Sequence, residues 1–226
     1  MSAKLIIVRH GEAAGNHERY FQGHADGAIS ARGELQLDAL AARFESINFD
    51  AIYSSPLTRA RQTADACNRR LQLPVNIDER LIEINGGVFE GVRWADLPQR
   101  FPEQAKLWDA QPWLFHPENG EAMTEVRERI SQAILDIAAA NDGKTVVITS
   151  HGCAIRNLIC WAKNLPIERL NDVDWWDNTA MGVIEVTDGK PALLSENDNA
   201  HIAEGLSTFA TQTWWKHPAG EMDFNG

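Results

Sequence analysis

Short apolar runs alternate along the chain with segments in which apolar residues recur at helical spacing. Six of these runs are rich in aliphatic or β-branched residues and are bounded by polar residues or turn formers, which predicts strands. They are residues 5–8, 51–53, 75–77, 145–149, 181–186 and 191–195. Because helical segments separate most of the runs, the pattern predicts an α/β fold with a mainly parallel sheet and helices on both faces.

The helical segments are marked by apolar residues three and four positions apart. Three stripes predict helices: Leu37, Leu40, Ala41 and Phe44; Ala60, Ala64, Cys67 and Leu71; Val126, Ile130, Ala133, Ile134 and Ile137. Pro74 follows the second stripe and Gly143 follows the third, as expected beyond helix ends. A further helix is expected over about residues 154–163.

Residues 93–119 interrupt this alternation. The segment is rich in aromatic residues and proline: Trp94, Phe101, Trp108, Trp113 and Phe115, with Pro98, Pro102, Pro112 and Pro117. We expect a helical insertion over the carboxyl edge of the sheet, where it would form a lid on a substrate pocket. Alternatively, the aromatic side chains only pack the insertion onto the domain, and both roles are compatible. The 226 residues fit a single domain with this one insertion.

Composition narrows the classes of protein. The formal net charge of −11 argues against general nucleic-acid binding, and any phosphate site must concentrate positive charge locally. No apolar run approaches the roughly 20 residues of a membrane helix, and the chain enters its first strand without a secretory signal. The cysteines, Cys67, Cys153 and Cys160, are odd in number and lie in predicted helices. We therefore expect buried thiols in a reducing cytoplasm, without a disulfide framework or zinc ribbon.

Two strands deliver similar residues to their carboxyl ends. The run at residues 5–8 leads into RHGE, which contains Arg9 and His10, and the run ending at residue 149 leads into SHG, which contains His151. Ligands bind at the carboxyl ends of strands in open α/β sheets. A neutral histidine can act as a nucleophile, arginine matches phosphate oxygens, and glycine allows the backbone to turn sharply. These positions therefore indicate a phosphate-handling site.

Four segments in this order closely resemble the histidine phosphatase superfamily, also called the phosphoglycerate mutase-like family. They are RHGE at residues 9–12, SSPLTRARQTA at 54–64, LIEINGGVFEG at 81–91 and VVITSHG at 146–152. The resemblance extends from residue 4 to about residue 186. It implies a three-layer αβα sandwich around a six-stranded sheet with one antiparallel strand.

The resemblance implies a covalent mechanism. His10 is the expected nucleophile, with its attacking nitrogen unprotonated and a backbone carbonyl fixing the proton on the other nitrogen. Attack on phosphorus would give a phosphohistidine, which water would hydrolyse. Arg9 and Arg59 are expected to clamp the phosphate, Arg59 from a helix start. Asn16 corresponds to the phosphate-contacting asparagine of the family.

His151 is expected to face the phosphate from the opposite side, as a protonated imidazole that donates a hydrogen bond to an oxygen. Gly152 opens the following helix, so its amide would add a donor. Two histidines could also be metal ligands, but neighbouring arginines would repel a cation. We therefore expect no metal and no cofactor. His24 matches no family motif, and the role of His201 stays open.

Two glutamates compete for the role of general acid. Glu83 takes it by family position and would protonate the leaving oxygen, which requires a pKa raised toward neutrality. Glu90 is the alternative, although we expect it to hold the shape of its loop.

The activity expected is that of a phosphatase acting on a small phosphomonoester. Family mutases carry a longer insertion after the glutamate, and residues 117–121 look more like the small phosphatases. A cofactor-dependent phosphoglycerate mutase is the alternative. A non-catalytic phospho-ligand binder is disfavoured because His10 and Glu83 are both present. Sugar phosphates, phosphoglycerates, nucleotides and cobalamin-precursor phosphates all stay possible substrates, no nucleic-acid or membrane partner is expected, and the oligomeric state is not predicted.

Overall fold

The computed structural model describes residues 1–212 and 220–224, which build a six-stranded sheet flanked by helices. The strands are β1 (Ser2–Arg9), β2 (Ala51–Ser54), β3 (Val75–Ile77), β4 (Thr145–Ser150), β5 (Met181–Thr187) and β6 (Lys190–Asp198). The helices are α1 (Ala14–Glu18), α2 (Ala31–Phe44), α3 (Thr58–Cys67), α4 (Leu97–Arg100), α5 (Pro102–Ala110), α6 (Met123–Ala140), α7 (Gly152–Ala162) and α8 (Thr208–Thr211). None of these helices is long and apolar enough to cross a lipid bilayer.

The strands follow the order β3-β2-β4-β1-β5-β6 across the sheet. β1, β2, β3 and β4 run parallel, and β5 runs antiparallel to both of its neighbours, β1 and β6. The mainly parallel sheet with one antiparallel strand is therefore confirmed. Its central strands β1, β2 and β4 end at one edge, which positions the residues that follow them close together.

Alternate residues of β1 face opposite sides of the sheet, as the strand period requires. Leu5 and Ile7 pack into the core formed with α6, α7 and the 93–119 segment, whereas Ile6 and Val8 pack with α2 and α3. The continuous apolar run of β1 is thus explained by burial on both faces. This arrangement confirms the three-layer sandwich.

The observed elements agree with the sequence pattern except near α1, at the end of α3 and at α8. Leu71 does not belong to the helical stripe, because α3 ends at Cys67. The Asn68 side chain donates to the Leu73 carbonyl at 2.7 Å and accepts from its amide at 2.9 Å, so side-chain bonds close a turn where the helix would continue. The sequence pattern did not predict α1, which has five residues and buries only Gly15.

The 93–119 segment is helical and aromatic side chains anchor it. Trp108 and Phe115 are buried in the main core, their ring centroids 4.9 Å apart. Phe21, from the loop after α1, meets Trp108 at 5.2 Å. Trp108 and Trp94 also border the large cavity at the carboxyl edge of the sheet. The aromatic residues therefore pack the segment onto the sheet and form a wall of the cavity.

The three cysteines are unpaired and buried. Cys67 lies in α3, and Cys153 and Cys160 lie in α7, as the sequence pattern predicted. Burial raises the pKa of the Cys153 thiol well above its ordinary value, and the Glu83 carboxylate adds to this effect. The thiol is therefore held in its protonated form, which is the less reactive one.

Helix α2 provides a test of its packing. Leu40 is fully buried against the sheet, whereas Leu35 on the same helix is 54% exposed. We expect Leu40→Ala to lower the free energy of unfolding by about 2–5 kcal/mol, because it leaves a cavity. Leu35→Ala should change it by less than about 0.5 kcal/mol. Urea denaturation followed by circular dichroism measures both, and similar losses would contradict the packing described.

Candidate active site

Two neighbouring strand ends bring the two histidines together. Arg9 at the end of β1 pairs in register with Ser150 at the end of β4, so the next residue in each chain segment is a histidine. The ring centroids of His10 and His151 lie 5.1 Å apart. The carboxyl edge of the sheet therefore brings two segments that are about 140 residues apart in sequence into one site.

The His10 imidazole is fixed in one tautomer. Its Nδ1 lies 2.7 Å from the backbone oxygen of Gly11, and because a carbonyl only accepts, Nδ1 must donate. Nε2 then carries the lone pair. The backbone of His10 is also held, since its amide donates to the Ser150 carbonyl at 3.0 Å and its carbonyl accepts from Asn178 Nδ2 at 2.9 Å. The carbonyl partner is the kind of group expected from the sequence.

The surroundings keep His10 neutral. Burial lowers its pKa well below 6.5, and the charges of Arg59 and Arg9 lower the pKa further. An unprotonated nitrogen is what a nucleophile requires. The same cations that would bind a phosphate therefore also preserve the attacking lone pair.

Arg9 and Arg59 are buried cations, with exposures of only 5% and 1%. Arg9 Nη1 donates to the Trp176 carbonyl, and Arg59 donates to the carbonyls of Ala25 and Gly23 at 2.8 and 2.7 Å. The Nε atom of each arginine is buried and has no hydrogen-bond partner. Burial lowers the pKa of both guanidinium groups. Buried donors without partners are costly, so both arginines are suited to receive an anion.

His151 adds a further buried nitrogen without a partner. Its Nε2 lies 2.7 Å from Ser55 Oγ, which also accepts from the Leu57 amide at 3.3 Å. Its Nδ1 is buried and has no hydrogen-bond partner. Burial first, and then the charge of Arg59, lower the pKa of His151 well below 6.5. These surroundings favour the neutral ring, and the protonated imidazole expected from the sequence stays a prediction for the phosphate-bound site.

Gly152 lets the start of α7 approach the cation cluster. A Cβ atom at this position would lie 3.4 Å from Arg9 Nε and 3.3 Å from the Trp175 ring. Gly152 and Arg9 both line the large cavity. The helix start therefore adds its own electropositive end to the two arginines.

The Glu83 carboxylate is placed at the same helix start. One oxygen accepts from the Cys153 amide at 3.0 Å, and the other accepts from the Ala154 and Ile84 amides at 3.0 and 2.9 Å. Arg129 Nη2 donates to the backbone carbonyl of Glu83 at 3.0 Å and fixes this segment. Glu83 borders the cavity that contains His10.

Glu90 has different surroundings. Its Oε1 accepts from the backbone amides of His24 and Gly86 at 2.7 and 3.0 Å. The carboxylate therefore links two loops, and Glu90 is absent from the described residues that line the cavity. Its position agrees with a structural role.

Asn16 lines the cavity from α1. Its Oδ1 accepts from the Ala13 amide at 3.1 Å at the helix start, so its side-chain NH₂ group is the part left for a ligand. The structure thus brings all seven residues singled out from the sequence to one edge of the sheet: Arg9, His10, Asn16, Arg59, Glu83, His151 and Gly152.

The C-terminal part of the chain also contributes to the cavity, which the sequence did not reveal. Thr208 Oγ1 donates to the fully buried carboxylate of Glu12 at 3.2 Å, and the Thr208 amide donates to the buried Asp177 carboxylate at 3.1 Å. These bonds place Phe209 and Gln212 on the cavity wall. No motif marks this segment, because its position depends on buried carboxylates far away in sequence.

Several other contributors were missed. Ser55, whose Oγ contacts His151 Nε2, lies in a motif but was given no role, and Arg129 and Arg19 lie outside every motif. His201 Nε2 contacts Thr179 Oγ1 at 3.2 Å, and the Thr179 amide donates to the His10 carbonyl at 3.3 Å. Among residues 1–212 and 220–224, no group of three or more His, Cys, Asp or Glu side chains could hold a metal ion.

Comparisons with known proteins give a consistent result. The model of the histidine phosphatase superfamily (branch 1) matches residues 5–199. Phosphoserine phosphatase 1 of Hydrogenobacter thermophilus is 29% identical over 205 residues, covering 89% of this chain and 95% of that protein. Phosphoglycerate mutase-like protein 4 of Arabidopsis thaliana is 29% identical over 206 residues, covering 89% of this chain and 88% of that protein. The structure of Bacillus stearothermophilus YhfR is 32% identical, with a TM-score of 0.85 over 89% of this chain and 100% of that one.

The buried neutral histidine predicts a dependence of stability on pH. His10 in the unfolded chain takes up a proton as the pH falls through 6.5, whereas folded His10 has a lowered pKa and stays neutral. The unfolded state then binds more protons than the folded state, so the free energy of unfolding decreases as the pH is lowered. Between about pH 7.5 and about pH 5.5, this histidine should cost about 1 kcal/mol.

We therefore expect His10→Asn to lose about 1 kcal/mol less of its unfolding free energy than the wild type over that pH interval. Urea titrations at both pH values measure the difference. His116→Asn, at an exposed position in the 93–119 segment, is the control and should follow the wild type. Parallel losses in the wild type and His10→Asn would show that His10 is already protonated in the folded protein.

Proposed function

The chain belongs to the histidine phosphatase superfamily (branch 1), and we propose that it hydrolyses a small phosphomonoester through a phosphohistidine on His10. The arrangement around His10 carries this proposal. A neutral imidazole with a lone pair on Nε2 lies near unused donors on Arg9 and Arg59 and near the unpartnered Nδ1 of His151. This combination supplies a nucleophile and positive charge around the same point, as phosphoryl transfer requires.

In the first half-reaction, the phosphate oxygens receive hydrogen bonds from Arg9 and Arg59, with further donors from Asn16, His151 and the start of α7. His10 Nε2 attacks phosphorus, and the P–N bond forms as the bond to the leaving oxygen breaks. Glu83 gives a proton to that oxygen.

In the second half-reaction, Glu83 accepts a proton from a water molecule. The resulting hydroxide attacks phosphorus, the P–N bond breaks and its electron pair returns to His10 Nε2. Inorganic phosphate leaves, and the glutamate is again protonated. The bond from Nδ1 to the Gly11 carbonyl keeps the ring in the required tautomer throughout.

Hydrolysis is favoured over mutase chemistry by the short path from Glu83 to the start of α6 at Met123. A mutase must hold its phosphorylated intermediate away from water. As a lid over the site, the 93–119 segment is short and has few residues with which to exclude water. The relative from Hydrogenobacter thermophilus is named a phosphatase. The mutase-like relative from Arabidopsis thaliana keeps a cofactor-dependent phosphoglycerate mutase as the alternative. In both reactions the first half-reaction is the same.

The covalent step can be tested by trapping. The wild type, quenched during turnover of p-nitrophenyl phosphate, should carry an acid-labile phosphate on the peptide that contains His10, detected by mass spectrometry. His10→Ala should lose the label and at least about 10³-fold of its activity. His116→Ala is the control at an exposed position and should keep both. Substantial turnover by folded His10→Ala would refute the mechanism.

The same preparations distinguish hydrolase from mutase. With 3-phosphoglycerate and a catalytic amount of 2,3-bisphosphoglycerate, inorganic phosphate should accumulate and little 2-phosphoglycerate should form. Rapid isomerisation that depends on the bisphosphate would instead support the mutase alternative.

The role of Glu83 predicts a dependence on the leaving group. Glu83→Gln should reduce kcat/KM for an alkyl phosphate about 10²- to 10⁴-fold, since the alkoxide needs a proton. The loss for p-nitrophenyl phosphate should be at least about tenfold smaller, because nitrophenolate leaves without one. Glu90→Gln, which removes a charge from the loop contacts, should affect both substrates alike. An equal loss for both substrates in Glu83→Gln would assign Glu83 to positioning.

A further inference from the structure

Arg19 lies at the end of α1, in the wall of the cavity. Arg19 and Asn16 both line this cavity. The backbone of Arg19 has a φ of 64°, a left-handed conformation that is uncommon for a residue with a Cβ atom. The Trp94 amide donates to the Arg19 carbonyl at 3.0 Å and holds this conformation. The position is thus built by α1 and the 93–119 segment together.

The guanidinium of Arg19 is incompletely satisfied. Its Nη2 donates to the Phe224 carbonyl at 3.4 Å, a long bond, and its Nη1 is buried with no hydrogen-bond partner. Arg19 forms no salt bridge with any other residue that the structure describes. Burial lowers the pKa of Arg19, and the charge of Asp223 offsets only part of that effect. A half-used cation in a cavity wall is a binding group for an anion.

The C-terminal residues 222–224 border the same cavity. The Met222 amide donates to Asp109 Oδ2 at 3.1 Å, which attaches this segment to α5. Asp223 and the Phe224 carbonyl thereby supply Arg19 with a negative charge and one acceptor. A negative charge and an oxygen acceptor are what a carboxylate would supply to Arg19. Here they come from separate groups of the chain and hold the guanidinium less strongly than a bidentate ion pair would.

We propose that Arg19 binds a carboxylate on the leaving-group side of the substrate, and that this carboxylate displaces the Phe224 carbonyl and the Asp223 charge. The proposal rests on the proposed function, since it places the phosphate on Arg9 and Arg59. Among the described residues that line the cavity, Arg19 is the one cation beyond those two arginines. One guanidinium balances the single charge of a carboxylate, whereas a second phosphate would call for more positive charge.

The rest of this wall makes Arg19 selective. Trp94, Trp108, Phe21 and Met222 surround the outer part of the cavity with apolar surface. A carboxylate placed there without a partner would lose its hydration, so it needs Arg19. A neutral leaving group has no such requirement. Arg19 is therefore inferred to determine specificity between charged and uncharged phosphomonoesters.

A matched substrate pair tests this inference. 3-Phosphoglycerate and sn-glycerol 3-phosphate share a three-carbon skeleton and differ in a carboxylate against a hydroxymethyl group. We divide kcat/KM for 3-phosphoglycerate by kcat/KM for sn-glycerol 3-phosphate, and we expect Arg19→Gln to reduce this ratio about 10- to 100-fold. Arg19→Lys should restore part of the ratio. Arg61→Gln, exposed on α3, is the control and should leave the ratio at its wild-type value.

The Asp223→Asn variant tests whether Asp223 competes with the substrate carboxylate for Arg19 or instead orients Arg19 for binding. Removal of its charge should strengthen binding of 3-phosphoglycerate about two- to fivefold, because the substrate no longer displaces a carboxylate. Weaker binding in this variant would overturn displacement and show that Asp223 orients Arg19. An equal loss with both substrates in Arg19→Gln would overturn the carboxylate site altogether.

Binding to a protein that cannot turn over keeps this test independent of the proposed function. Calorimetry on His10→Ala and on His10→Ala with Arg19→Gln should show the same 10- to 100-fold change in the ratio of Kd values, about as estimated for a charged hydrogen bond. If the wild type hydrolyses no phosphomonoester yet the ratio of Kd values changes, the proposed function fails and the Arg19 site stands. An unchanged ratio in both measurements refutes the Arg19 site.

Discussion

The site depends on two buried arginines that are held by carbonyl oxygens and not by carboxylates. Arg9 bonds to the Trp176 carbonyl and Arg59 to the carbonyls of Gly23 and Ala25. Carbonyl partners fix the side chains without cancelling their charge, so the cluster keeps a positive field in a protein whose net charge is −11. Such a buried charge is costly, and an entering anion relieves that cost. The same positive field adds to the effect of burial, which is the larger influence, in keeping His10 neutral.

The carboxylates nearest this cluster are occupied by other groups. The charge of Asp177 acts on Arg9 electrostatically. The carboxylate oxygens of Asp177, however, accept hydrogen bonds from Asn178, Thr208 and Ser207. Glu83 is bonded to the amides at the start of α7. The negative groups therefore build the walls, and the donors of the arginines stay available for a ligand. The helix start both holds the acid and adds a positive end to the phosphate site.

The outer part of the cavity is assembled differently from the strand edge. It takes side chains from α1, from the 93–119 segment and from the C-terminal residues, and these are joined by contacts such as Trp94 with Arg19 and Met222 with Asp109. The inner part is fixed by strands buried on both faces. Under the proposed function, this division separates the residues that would handle the phosphate from the surface that would contact the leaving group, and Arg19 lies on the second part.

The sequence pattern by itself determined the mainly parallel sheet and the residues at its carboxyl edge, whereas the one reversed strand followed from the family resemblance of the motifs. Strands buried on both faces require continuous apolar runs, and the residue that follows such a run has only one edge to occupy. Local patterns failed where side-chain bonds decide the path, as at Asn68, where the chain turns before Leu71. Only the tertiary structure decided that Ser55 contacts His151, that Glu12 and Asp177 hold Thr208, and that Asp223 and Arg19 border the same cavity. The residues in these pairs are distant in sequence. Contacts between single polar atoms produce no periodic pattern in the sequence from which they could be predicted.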